Sequence, residues 1–252
     1  MNEGTEIEAP VRSEAMLRQE LAACYRIFHY LGWTELIFNH ISVRLPGPEK
    51  HFLLNPLGLH YSEVTASNLV KIDLDGNIIG NSDYAVNPAG FTLHSALHRG
   101  ISNAHCVMHT HTTAGCAVAG AACGLSPDNF YAAQMLGRVA YHDFEGITVH
   151  AAEGPRVVAS IGDSQAVILR NHGLLSWGLD IPNAFMFLWT LQRACEIQVA
   201  GATLGPTVPV PPAVQAKASA DAVQFDPKHP AGRLIFDALR RLVETADPSF
   251  KD

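Results

Sequence analysis

The chain carries little charge for its size. Asp, Glu, Lys and Arg make up 16% of its 252 residues, 17 basic against 24 acidic, for a formal charge of -7. Lys and Arg are scattered rather than clustered, so the basic stripe that follows a phosphate backbone is missing and nucleic acid is not an expected partner. Nowhere do about 18 apolar residues run uninterrupted, the length a bilayer-crossing helix needs, so no membrane partner is expected either. Met1 to Pro10 is polar and acidic, without the basic segment and apolar run of a secretory signal. The five cysteines, Cys24, Cys106, Cys116, Cys123 and Cys195, form an odd count with no C-x-x-C pair. Reduced thiols in a cytoplasmic protein follow from that pattern.

What the chain has in quantity is apolar surface, 48% of residues. A chain of this length buries roughly three quarters of its extended surface, enough for one core without staples, and the sparse charge leaves room for burial between subunits. Ser13 to Tyr30 carries apolar residues at helical spacing and stops before Gly32, a C-cap. Ile41 to Leu45 and His51 to Leu54 are β-prone runs around Pro46-Gly47-Pro48, and Val70 to Leu74 and Ile78 to Ile79 flank the hairpin signal Asp75-Gly76-Asn77. Helices are expected over Phe91 to Arg99, Thr112 to Ala122, Asp128 to Leu136 and Asn183 to Gly201. Strands are expected over Cys106 to His111, near Ile147 to His150, and over Ala166 to Leu169 and Leu174 to Trp177, while Val157 to Ile161 fits either state. Pro206 to Ala213 has four prolines in eight positions and reads as a stiff linker, followed by an amphipathic helix from His229 to Val243. Meandering strands among helices indicate an α/β fold with a largely antiparallel central sheet and helical layers.

Two histidines stand out because of where alternation puts them. On an extended segment His109 and His111 point to one face, two residues apart, so both rings can meet one ion. His172 lies between Asn171 and Gly173 at a strand end, exposed by a turn, and is the candidate third ligand. His94 and His98 form a competing pair at i,i+4 on a helix, where packed or hydrogen-bonded roles are the commoner outcome.

Taken in order, Asn39-His40-Ile41-Ser42-Val43-Arg44, Asn55-Pro56-Leu57-Gly58, His109-Thr110-His111 and Asn171-His172-Gly173 resemble the class II aldolase and adducin head-domain family. The similarity spans about Leu17 to Gly205 and leans to the bacterial adducin-like branch in Leu36 to Gly58, Val64 to Asn77, Cys123-Gly124-Leu125 and Cys195 to Gln198. It implies a three-layer α/β/α sandwich over residues 13–205, assembled as a homotetramer with sites near subunit interfaces. Residues 206–252 would be a linker and helical extension packed on the body or on a neighbouring subunit. The family's three zinc-binding histidines carry over to His109, His111 and His172, giving one divalent metal ion, with zinc first and iron or manganese as alternatives. The family's catalytic glutamate does not carry over: its position is Gly90, which has no group to move a proton. Glu63, Glu145 and Glu153 are the acids that could compensate. Tyr131 matches a tyrosine that reaches the site from an adjacent subunit, and Asn39, Gly58 and Arg170 are substrate-binding candidates. Phe38, Leu57, Pro88 and Ala89 replace polar phosphate-pocket positions, and phosphate tolerates apolar walls poorly.

The resemblance therefore implies a metal-dependent carbon–carbon lyase, an aldolase or decarboxylase, acting on a small non-phosphorylated oxygenated carboxylate. An iron-dependent oxygenase on the same fold and a non-catalytic adducin-like interaction protein are the alternatives left open.

Overall fold

The computed structural model describes residues 12–224 and 231–252. The polar segment Met1 to Pro10 and the expected helix start at His229 lie outside the described residues. Helix α1 (Glu14–Leu31) begins where Ser13 Oγ accepts the Met16 N–H at 3.3 Å and ends at Gly32, whose φ of 74° lets its N–H reach the Phe28 and His29 carbonyls.

Seven strands then build one sheet: β1 (His40–Arg44), β2 (Phe52–Leu54), β3 (Val70–Ile72), β4 (Cys106–Thr110), β5 (Val139–His142), β6 (Ala166–Leu169) and β7 (Gly173–Gly178), in the order β3-β2-β1-β4-β7-β6-β5. Each pairing is antiparallel except β5 with β6, which is parallel. The sheet is thus mixed, which corrects the expectation of a largely antiparallel one. The reason lies in α5 (Gly154–Ile161), the segment that fitted either state: as a helix between β5 and β6 it is the crossover a parallel pair requires. Ile147 to His150 is not a strand. Ile147 and Val149 are 77% and 48% exposed, so those side chains never paired with a sheet.

Apolar clusters cover both sides of the sheet. Cys106 and Met108 of β4 pack with Tyr25 and Phe28 of α1 and with Phe185 and Leu188 of α6 (Ile181–Gly201). Val107 points the other way, against Leu93 and Leu97 of α2 (Pro88–Gly100) and Val157 and Ile161 of α5. The period of two along β4 therefore puts His109 on the α2 side, next to the end of the sheet where β7 begins. There Gly173 comes so close that a Cβ would stand 2.3 Å from the Thr110 carbonyl, and only glycine allows the strands to approach at that point. Helix α3 (Thr113–Gly120) follows β4, and the short α4 (Phe130–Gln134) precedes β5.

The chain's last part lies on the body. Helix α7 (Pro212–Ala222) starts inside the proline-rich stretch, because proline suits a first helical turn whose N–H groups have no partner. Helix α8 (Arg233–Ala246) sends Phe236 into the cluster of α1 and α6, where it is fully buried beside Phe185 at 5.8 Å between ring centroids. Arg233 reaches Glu20 at 2.7 Å, and Asp247 reaches Arg26 at 2.8 Å. Phe236→Ala is expected to cost about 3 kcal/mol, measured as a lower urea midpoint, while a loss under about 0.5 kcal/mol would show that the extension detaches freely.

Candidate metal centre

His109, His111 and His172 converge. Their Nε2 atoms are 2.9 Å apart for His109 and His111, 3.2 Å for His109 and His172, and 3.0 Å for His111 and His172. His109 stands on β4 opposite Leu175 of β7, His111 follows one residue beyond the strand, and His172 is presented by the β6–β7 turn, where Asn171 adopts φ 54°.

The outer nitrogens decide what the inner ones can do. His109 Nδ1 lies 2.9 Å from the Leu174 carbonyl, which only accepts, so the ring's proton is on Nδ1 and Nε2 carries a lone pair. His111 Nδ1 faces Asn39 Oδ1 at 2.9 Å, and the same oxygen accepts the His111 backbone N–H at 2.9 Å. Asn39 cannot be turned around, because its amide nitrogen donates to the Trp33 carbonyl at 2.9 Å and to the Glu35 carboxylate. His111 Nε2 is therefore bare as well. Two lone pairs facing each other at 2.9 Å repel unless a cation lies between them. Burial pushes the basicity of both rings down, and pushes His172 down to about 4 with help from the His111 charge, so all three are neutral donors at pH 7. Three neutral imidazoles aimed at one point, two held by outer acceptors, fit a divalent cation.

The histidines open on a cavity of about 610 Å³. Its walls include Phe38, Pro88, Ala89, Leu93 and Phe144, and among the described residues that line it Glu35 is the one carboxylate and no Lys or Arg appears. Sequence reasoning passed over Glu35. Its signal is positional: it sits four residues before Asn39 on a turn with φ 40°, which holds its side chain toward the amide it meets. Burial raises the Glu35 carboxyl above its ordinary range, and the Asn39 bond partly offsets that rise.

Residues 19–199 match the family described as Class II Aldolase and Adducin N-terminal domain. The chain belongs to this family. An aldolase II superfamily protein from Pseudomonas syringae is 39% identical and superposes with a TM-score of 0.88 over 97% of both chains. An L-fuculose 1-phosphate aldolase from Glaciozyma antarctica PI12 is 26% identical, with a TM-score of 0.84 over 95% of this chain and 93% of that one. Alpha-adducin of Rattus norvegicus is 47% identical over 199 residues, which cover 78% of this chain but 27% of that protein.

Within this class II aldolase and adducin fold the remaining candidates do not line the histidine cavity. Tyr131 packs edge-on against Trp189 at 5.4 Å and lines a different cavity, of about 270 Å³. Arg170 donates to the Ala121 carbonyl at 2.8 Å and lies over the Tyr141 ring at 4.2 Å, already engaged on the far side of the turn. Gly58 is an exposed turn residue at φ 97°. Asn39, expected on the substrate, spends both its polar atoms on the protein and holds His111. None of these four lines the histidine cavity formed by one chain. The acids considered as substitutes are also engaged elsewhere: Glu63 accepts the His60 N–H, Glu145 pairs with Arg156, and Glu153 accepts from Thr148.

Proposed function

We propose that this chain is a metal-dependent carbon–carbon lyase, an aldolase or decarboxylase, acting on a small non-phosphorylated oxygenated carboxylate. The observation that carries the reading is the pair of bare Nε2 atoms on His109 and His111, closed into a triangle by His172. These three residues would hold the ion, zinc by preference for imidazole. When bound, a divalent cation polarises a carbonyl and stabilises negative charge as a carbon–carbon bond breaks.

The chain's own residues set what can enter. Phe38, Pro88, Ala89 and Leu93 give the cavity apolar walls that shed water, and among the described residues no Lys or Arg lines it to pair with a phosphate. A carboxylate there has the ion as its counter-charge. Tyr131 is assigned as the proton donor in a homotetramer whose neighbouring subunit brings it to the cavity. A cytoplasmic location goes with this reading.

Metal analysis of the purified protein, followed by turnover assays on hydroxy-keto acids and their phosphorylated counterparts, tests it. About one equivalent of zinc per chain is expected, with cleavage lost on chelation and restored by zinc. Preference for the phosphorylated sugar would sink the substrate assignment. A metal-free protein that cleaves nothing would favour the adducin-like interaction role instead, to which the likeness to rat alpha-adducin and the absence of a carboxylate at Gly90 both lean.

A further inference from the structure

Behind the histidine cavity a file of polar side chains runs from its wall to the interior. His40 Nδ1 lies 2.8 Å from His94 Nε2, and Ser42 Oγ lies 2.6 Å from His94 Nδ1 and 2.8 Å from His98 Nε2. At the inner end His98 Nδ1 lies 2.8 Å from the Ala104 carbonyl. All four side chains are buried, and among the described residues no carboxylate hydrogen-bonds to any of them.

The inner end fixes the direction of every bond. A carbonyl accepts only, so His98 donates from Nδ1 and its Nε2 is an acceptor. Ser42 has a single hydroxyl proton, which goes to that Nε2, and Ser42 must then accept from His94 Nδ1–H. His94 Nε2 is left as an acceptor and takes the Nδ1–H of His40. Each neutral imidazole carries one N–H, so the last nitrogen in the file, His40 Nε2, is bare. His40 lines the cavity, stands opposite His109 in the β1–β4 pairing, and has its ring 5.0 Å from that of His109. Among the described residues nothing hydrogen-bonds to His40 Nε2. Position 90 makes room for the ring: a Cβ on Gly90 would stand 3.0 Å from both Cγ and Cδ2 of His40.

We propose that His40 is the proton acceptor of this cavity, held by the His94–Ser42–His98 file with its bare Nε2 toward the substrate. The proposal deepens the lyase reading and rests on it. For a substrate carbonyl, the adjacent C–H bond breaks, its proton passes to His40 Nε2 and its electron pair moves onto the carbonyl oxygen; return of a proton to the same carbon reverses the step. Every bond in the file donates away from His40, so the aligned dipoles present their negative ends to the ring and offset part of the cost that burial puts on its charge. Ser42, His94 and His98 are positioning residues, while His40 touches the reacting atoms.

Two measurements test this. In zinc-loaded protein labelled with ¹⁵N-histidine, multiple-bond ¹H–¹⁵N correlation, with His40→Gln used to assign the signals, is expected to show His40 protonated at Nδ1 and bare at Nε2. A proton on Nε2 overturns the proposal. Deuterium uptake into the methyl group of pyruvate in D₂O, followed by ¹H NMR, reads the proton transfer itself. His40→Gln is expected to slow uptake by about 100-fold or more at unchanged zinc content, and Ser42→Ala by about tenfold through kcat rather than KM. Unchanged uptake in zinc-loaded His40→Gln overturns the proposal; if that variant loses zinc, the Ser42→Ala result decides in its place. Wild-type protein that exchanges no pyruvate counts against the lyase reading, and the tautomer of His40 then decides the acceptor separately.

Discussion

Replacing His109 with alanine is expected to lower zinc affinity on the order of a thousandfold, because an imidazole-and-thiolate zinc site gains about 10–16 kcal/mol from roughly four ligands. His109 is the ligand most firmly fixed in place. It belongs to a strand paired on both sides, and its Nδ1 proton is taken by the Leu174 carbonyl, so its lone pair is aimed before any ion arrives. Asn39→Ala touches no ion, yet it removes the acceptor that sets the His111 tautomer and orients its ring. A loss of about 10–100-fold is expected there, the usual cost of removing a group that orients a ligand. Asn39→Asp keeps the acceptor for His111 but turns its second oxygen on the Trp33 carbonyl and the Glu35 carboxylate, which the amide nitrogen serves in the native chain, so only partial recovery is expected. Titration against a chelator of known affinity measures all three variants. Wild-type affinity in His109→Ala would show that the triangle of histidines is a packing feature and nothing more.

Why the triangle could be read from the sequence while the file behind it could not is a question of contact range. The H-x-H spacing on a strand and the Asn-His-Gly turn each dictate local geometry, and the family resemblance supplied their meeting, which β4 and β7 achieve by pairing His109 with Leu175. The same period of two puts His40 and Ser42 on one face of β1, and the i,i+4 spacing puts His94 and His98 on one face of α2. Nothing in either pattern says that the two faces meet with Ser42 between the two rings. That register depends on how α2 packs on the sheet, a long-range outcome set by Leu93 and Leu97 against Val107. The edge strand β5 was missed for a different reason. Val139, Ala140 and Tyr141 are half-buried or exposed, so the strand shows no alternation strong enough to compete with the apolar run near Ile147. Ile147 and Val149 instead line the histidine cavity while remaining 77% and 48% exposed.

Acidifying the metal-free protein from pH 7 toward pH 4 is expected to remove most of its stability. Burial pushes His98 down to about 3 and His172 down to about 4, and it holds His40, His94 and His109 well below the ordinary imidazole range and His111 below it. In the unfolded chain each returns to about 6.5. The unfolded state therefore binds protons that the folded state refuses, so stability from these groups is fully present above pH 6.5 and is lost as the pH falls from there toward the folded values. One such group costs about 1.4 kcal/mol per pH unit across that window. His98 and His172 together would cost on the order of 3 kcal/mol per unit, and the other four shift in the same direction and add to that, against a total of about 5–15 kcal/mol for a typical domain. Asp247, held low by Ser249, and Glu14, held low by Lys71 and Arg18 against the opposing effect of its burial, act below about pH 4. Glu35, which burial raises, takes up its proton in the folded state first and subtracts up to about one proton from the slope. Urea midpoints between pH 7 and pH 4 give the number of protons taken up on unfolding from their slope. Several protons are expected near pH 6, and His98→Asn, which removes one neutral ring from the file, should lower that number by about one. A midpoint that stays flat down to pH 5 would mean that the buried rings are charged in the folded state, and the bond directions that leave His40 Nε2 and the two metal-facing nitrogens bare would fall with it.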